Sequence, residues 1–439
     1  MTKVAVETVD AVRRRLAVEV PEPKVRAEID RAYDGLRRKA TVRGFRPGRA
    51  PRAVLERLFG DQVRAEVLGK LIHDSYEEAL REQQLEPVGE PEVVTEQAEP
   101  GGPLRYSVTV EVKPEVTASG YHGLAAEREA RPVSDADIDQ FLDDLRQSLA
   151  QLHPVTDRTI AHAEDVATVD YEARIGDRIV GRGDGRSLEI GADLPSTNLG
   201  SHLMGAEIGT PMDVTIEYPG EYPNADLAGQ RVAFHVVVKA LALKELPALD
   251  DEFAKDHGEC DTLAELRARV RQQLEAAAAR DADGAVRASL VHQLVRAHDI
   301  EVPRAMVERR TESLVEEVLD SLGQRRPPAS REGEMRTRLR EELRDRARDQ
   351  VKAALVLEAI ARQEHLAVTD AELDAQISRF AERAGTARER VRALYREPAA
   401  RSRLREQLLQ ERALDRVVEH AHVHTPEVRS SVADNRGNG

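Results

Sequence analysis

Tryptophan is absent from the 439 residues, aromatics make up only 3%, and there is a single cysteine. So few large rings leave little with which to build a tight enzyme core, although Leu, Val and Ala can still be buried along helical stripes. The lone Cys260 excludes an internal disulfide, has no metal-ligand spacing around it, and fits a reducing compartment as a packing or surface thiol. No stretch approaches the ~18 consecutive apolar residues of a membrane span. The first ten residues lack the apolar core of a secretory signal, so the expected location is the cytoplasm, with no membrane partner. No phosphate-binding Gly loop, His-Glu-x-x-His or Cys-x-x-Cys occurs, and no cofactor is expected. Thirteen histidines are scattered. The closest cluster, His420, His422 and His424, has a spacing of two that would put neighbours on different faces of a helix, a poor metal site. Carboxylate pairs such as Glu341-Glu342 sit in helical charge runs, where pairing at i,i+3 and i,i+4 explains them.

What is abundant is charge. A third of the residues are ionic and the net charge is −15, yet residues 1–60 hold fifteen Lys or Arg against eight Asp or Glu. A basic end on an acidic chain suggests either a contact with an anionic surface or an ordinary solvated face. A length of 439 suits about three domains at ~150 residues each.

Alternation at Val4 and Val6, and at Leu16, Val18 and Val20, predicts two strands. Pro21 and Pro23 open a helix with Val25, Ile29, Tyr33 and Leu36 on one face. A Gly/Pro loop follows, then a short helix from Pro51 to Leu58, a longer one capped by Asp61, and a strand over residues 104–112. Residues 1–115 thus read as an α+β domain. In the connector, 116–155, a strand-like piece at residues 124–129 precedes Ser134-Asp-Ala-Asp, a helix cap, with Pro154 ending the helix. Residues 156–245 read as a β-rich domain with strands at 166–171, 214–218 and 232–241 and turns at Gly183-Asp-Gly and Tyr218-Pro-Gly. Residues 246–429 are helical by pattern, with stripes at Leu263, Leu266, Val270 and Leu274 and at Leu339, Leu343, Ala347, Val351 and Leu355. Their breaks fall at Glu301-Val-Pro, residues 323–329, Glu397-Pro398 and His424-Thr-Pro. The polar residues 430–439 are expected to be disordered.

The loop Gly44-Phe45-Arg46-Pro47-Gly48-Arg49-Ala50-Pro51 has two Gly and two Pro, which keep its ordering cost low, and an arginine on each side of the Pro47-Gly48 bend. Two readings stand on physical grounds. It is either a plain inter-helix turn with Phe45 folded inward, or a docking loop whose Phe45 enters an apolar pocket on a partner.

This segment resembles the Gly-Phe-Arg-x-Gly-x-x-Pro signature of the trigger factor family of ribosome-associated chaperones. The likeness extends along nearly the whole chain. It takes in Val169-Asp-Tyr171, Glu221-Tyr222, Lys244-Glu-Leu-Pro247 with Phe253, Glu301-Val-Pro303 and residues 351–360. The resemblance implies an N-terminal ribosome-binding domain, a central prolyl isomerase domain of the FK506-binding-protein type, and an all-α C-terminal domain of arms and body. It implies as partners the ribosome, through exit-tunnel protein and ribosomal RNA, and nascent unfolded polypeptides, with a homodimer off the ribosome. Phe45, Arg46 and Pro47 fall on the family's contact triplet. Pro47 stands where a lysine is frequent, and Arg43 and Arg49 are the candidates to replace that charge.

For the isomerase, the resemblance places Tyr171, Leu199, Tyr222 and Phe234 at pocket positions. Leu199 replaces a floor aromatic within Ser196-Thr197-Asn198-Leu199. Arg186 and Leu188 stand where aromatics are usual, and Gly181 where an Asp is expected. Weak or absent isomerase activity is therefore expected. The main alternatives are a chain whose principal function is active prolyl isomerisation, and a nucleic-acid binder using its basic N-terminus.

Overall fold

A computed structural model describes residues 2–426 except 44, 47–48, 98–101, 192–198, 221, 223–226, 257–259 and 324–328. The expected disorder of 430–439 lies outside the described residues. Two compact units form: one from the residues up to Glu129 together with those from Ala282 on, the other from Ala130–Asp281.

The first unit begins with β1 (Lys3–Thr8) and β2 (Arg13–Val20), followed by α1 (Glu22–Lys39) and α2 (Arg52–Gln83), then β3 (Glu92–Gln97) and β4 (Leu104–Glu111). The antiparallel sheet has the order β1-β2-β4-β3. Alternation turns Leu16, Val18, Val20, Leu104, Tyr106, Val108 and Val110 into one core with the two helices. Buried Tyr106 fastens sheet to helix, its hydroxyl 2.6 Å from Ser75 Oγ and donating to the Ile72 carbonyl at 3.2 Å. Glu22 in the first turn of α1 and Arg37, Arg38 and Lys39 in the last complement its dipole.

The two helices expected after Pro51 are one helix of 32 residues. Gly60-Asp61 resembles a stop and cap, but a glycine inside a helix costs only about 1 kcal/mol. The uninterrupted stripe Leu55, Val63, Val67, Leu71, Ser75, Ala79 outweighs it.

After β5 (Ala125–Glu127) the second unit opens with α3 (Asp135–Ser148), closed by the expected cap: Ser134 Oγ accepts from the Asp137 N–H, and the Asp137 carboxylate accepts from the Ser134 N–H at 2.8 Å. Pro154 does not end this helix. It is the last residue of β6 (Gln151–Pro154), an edge strand where a missing N–H is tolerated. Then come β7 (Asp165–Ile175), β8 (Arg178–Glu189), β9 (Pro211–Glu217) and β10 (Arg231–Glu245), the sheet running β6-β10-β7-β8 with β9 also against β10.

Gly183-Asp184-Gly185 is not a turn between strands; it is a bulge inside β8. The register jumps there from Val169↔Arg186 to Tyr171↔Gly183. Gly185 takes φ +62°, and its N–H donates to Asp170 Oδ1 at 2.8 Å. The short α4 (Asp251–Asp256) and the first half of α5 (Leu263–Ala297) pack on α3 through Ile138, Leu142, Phe253, Leu266 and Val270.

The first unit resumes within α5 and continues with α6 (Arg304–Ser321), α7 (Ala329–Gln363), α8 (Asp370–Arg383), α9 (Arg388–Leu394) and α10 (Pro398–Glu419). The Glu301-Val-Pro and Glu397-Pro398 breaks fall between helices as expected. Val286, Leu290, Leu294, Val351, Leu355, Val356, Ala413 and Val417 form a core that also takes in Val116, Ala118, Tyr121 and Ala126 from the connector. Among the described residues this region departs from all-α in one place. His422–His424 form β11, parallel to β5, so these histidines lie beyond the end of α10 and not on a helix. Among the described residues no group of three His, Cys, Asp or Glu is placed to hold a metal. No described helix is long and apolar enough to cross a membrane.

Candidate functional site

The Gly/Pro loop joins α1 to α2. Val42 and Ala50 are buried in the N-terminal core and act as its two feet, while Arg43, Phe45, Arg46, Arg49 and Pro51 are exposed. Phe45 is not folded inward; it is 39% exposed. Two backbone bonds shape the described part of the loop: Phe45 N–H to Val42 O at 3.0 Å and Arg49 N–H to Arg46 O at 2.9 Å. Gly44, Pro47 and Gly48 lie outside the described residues.

The helices flanking the loop are clipped together at its base. Arg52, at the start of α2, sits 5.0 Å from the Tyr33 ring centre and donates to Glu56 at 2.7 Å and to Asp30. The basic last turn of α1 leads directly into the loop, so the surface has more positive charge than the motif alone suggested. Arg37-Arg38-Lys39 was the sequence signal for it.

In the second unit Tyr171 on β7 and Phe234 on β10 share a face of the sheet, ring centres 6.0 Å apart. Tyr222 stands edge-on to Tyr218, centres 4.6 Å apart. All four belong to the same core, Phe234 and Tyr218 buried within it and Tyr171 and Tyr222 half-buried at its margin. Leu199 is fully buried in that core, filling space with an aliphatic group. Leu188 is also buried, whereas Arg186 is exposed. Ser196, Thr197 and Asn198 lie outside the described residues.

Two members of this cluster went unread in the sequence. Gly183 lies beneath the Tyr171 ring: a Cβ there would come 2.4 Å from Tyr171 Cε1 and 2.8 Å from Arg186 Cγ. Tyr218-Pro-Gly signals only a turn in the sequence. Its hydroxyl is buried and has no hydrogen-bond partner among the described residues. Burial, and then the neighbouring Tyr222 and Tyr171, push its pKa up, so it stays a neutral phenol.

One ion pair fixes the entrance to β7. Arg158 donates to both oxygens of buried Asp165 at 2.6 Å, and the His162 N–H adds a third bond at 2.8 Å. The Arg158 guanidinium holds the Asp165 carboxyl below the usual range against the opposing effect of burial.

Fold and candidate sites together define a multidomain α+β protein that displays a basic loop from its N-terminal domain and groups aromatics on its central sheet. Residues 2–145 match the family described as bacterial trigger factor protein, and residues 262–419 match its C-terminus. The chain is 33% identical over 425 residues to trigger factor from Geobacter sp. (strain M21), covering 96% of this chain and 98% of that protein. It is 38% identical over 386 residues to trigger factor from Moorella thermoacetica, covering 86% of each. A solved structure, reported for promiscuous substrate recognition in folding and assembly by the trigger factor chaperone, is 23% identical with a TM-score of 0.48, over 95% of this chain and 99% of that one. The chain belongs to the trigger factor family of bacterial chaperones.

Proposed function

We propose that this chain is an ATP-independent chaperone of the cytoplasm that docks on the ribosome through Arg43–Pro51 and shields nascent chains at the exit tunnel. In this reading residues 1–115 dock, 156–245 form an FK506-binding-protein-type domain, and 246–429 supply the client-holding arms and body. The observation that carries it is the displayed loop: two buried feet with Phe45, Arg46 and Arg49 exposed between them, beside a basic helix end. Arginine forks suit RNA phosphate and protein carboxylate. Micromolar affinity for clients, about −8 kcal/mol, permits release without a nucleotide. Co-sedimentation with ribosomes tests the docking claim. Phe45→Ala combined with Arg46→Ala removes binding, and wild-type pelleting of that variant rules the docking claim out.

The central domain acts chiefly as a contact or spacer module with weak or no prolyl isomerase activity. Isomerisation must lower a barrier of ~18–20 kcal/mol. An aromatic, water-poor pocket does this without acid, base or nucleophile, so the rings themselves carry the activity. Tyr171, Tyr222 and Phe234 remain, but Leu199 supplies no ring and is enclosed in the core. In a proline-peptide assay kcat/KM falls far below that of an intact FK506-binding protein; comparable values sink this part of the reading.

A further inference from the structure

The most lopsided surface outside the docking loop lies at the α8–α10 end of the helical region. Residues 375–405 carry nine arginines, no lysine and three acidic residues, a net +6 inside a chain of net −15. Three of these arginines are neutralised, Arg392 by Glu389 within the segment, and Arg401 by Asp374 and Arg405 by Asp370 just before it, which brings the net to +4 when those two carboxylates are counted. The other six, Arg379, Arg383, Arg388, Arg390, Arg396 and Arg403, are exposed, and their side chains make no hydrogen bond or ion pair among the described residues.

The contrast with the neighbouring hairpin is informative. On α7, Arg336 is shared by Glu312, Glu316 and Glu332, and Arg340 by Glu312, so these two hold α7 to α6, while the exposed Arg344, Arg346 and Arg348 are interspersed with Glu341, Glu342, Asp345 and Asp349. The six free guanidiniums hold nothing in place. Their scaffold is ordered without them, by Leu373, Ile377 and Leu404 and the Phe380–Tyr395 ring pair at 6.3 Å. Crowding like charges on three short segments is unfavourable unless a polyanion neutralises them.

We propose that this arm surface binds the phosphate backbone of RNA, as a contact separate from the docking loop. Arginine suits phosphate, which the planar fork grips with two bonds. RNA also presents its charges at a regular spacing that a field of six can engage several at a time. A protein client offers carboxylates only where its sequence happens to place them. Half-buried Tyr395, beside a cavity of about 380 Å³ shared with Arg392, Arg396 and Arg401, adds a ring on which a base can stack.

The test uses the full chain, a fluorescein-labelled single-stranded 20-mer of uridine, and anisotropy between 50 and 200 mM KCl. If about four phosphates are neutralised, log affinity falls with log salt at a slope of about −2.8, roughly fifty-fold across that range. Arg388→Gln, Arg390→Gln, Arg396→Gln and Arg403→Gln together weaken binding at least tenfold and flatten the slope. Lysine at the same four positions keeps the slope, which separates lost charge from lost folding. In the Phe45→Ala, Arg46→Ala background, which removes the docking loop's own phosphate contact, the four glutamine substitutions still weaken binding of the 20-mer at least tenfold. Three outcomes each overturn the proposal: unchanged affinity in the glutamine variant, no further loss from the glutamine substitutions in the loop-variant background, or tighter binding of poly-glutamate than of RNA. The last would make the surface a dock for acidic clients.

Discussion

Gly183 gives the sharpest handle on the aromatic cluster, because the Tyr171 ring rests on its backbone with no room for one more carbon. In Gly183→Ala the new methyl would sit 2.4 Å from Tyr171 Cε1 and 2.9 Å from Cζ, well inside contact distance. The ring cannot bend, and the half-buried Tyr171 must swing off the sheet or push β8 outward. Overpacking of this kind costs about 1–3 kcal/mol. In Tyr171→Ala the space opens, so the same methyl should cost only a few tenths, the remaining contact being the flexible Arg186 chain. The four variants of this double-mutant cycle are best read by hydrogen exchange of the β7 and β8 amides, which isolates this sheet within a chain of several cooperative parts. A coupling of about 1–2 kcal/mol between the two sites is expected. An equal cost of Gly183→Ala with and without the Tyr171 ring would refute the reasoning and assign the glycine to bulge geometry.

Asp165→Asn leaves the Arg158 guanidinium without its counter-charge and should cost the central unit about 3 kcal/mol in urea unfolding. Because the folded carboxyl titrates below its unfolded value near 3.9, its contribution is complete above that pH and is lost as pH falls through the folded value. The variant should therefore show a flatter acid limb in the same measurement. Tyr106→Phe removes the phenol bonded to Ser75 and the Ile72 carbonyl but leaves the Ser75 hydroxyl donating to the Leu71 carbonyl. A loss of about 1 kcal/mol is expected in the unfolding of the N-terminal domain.

What could be read from sequence followed the range of the forces involved. The cap at Ser134 was legible because its hydrogen bonds close within three residues. The core stripes of α1 and α7 were legible because burial repeats at helical spacing. Local signals failed where distant packing outvoted them, as at Gly60, which continues a helix, and at Gly183-Asp184-Gly185, which bulges within a strand that partners β7. His422 and His424 were misplaced because a strand needs its partner, and that partner, β5, lies some three hundred residues earlier. Physical reading of the loop left two alternatives, and the exposure of Phe45 removes the inward one. Tyr218 escaped notice because nothing in Tyr218-Pro-Gly announces that its ring is buried against Tyr222.

The discontinuity of the first unit has a consequence in time. Val116, Ala118 and Tyr121 find their core neighbours on α7 and α10, as far along as Val417. At the usual 5–20 residues per second of synthesis, those early side chains wait roughly 15–60 s for the last of the surfaces that bury them. The unit formed by Ala130–Asp281 is complete in sequence long before then. A protein of the chaperone family thus spends much of its own synthesis with one unit complete in sequence and the other, drawn from both sides of it along the chain, unfinished. Until then Val116, Ala118 and Tyr121 of its connector lack the surfaces that bury them.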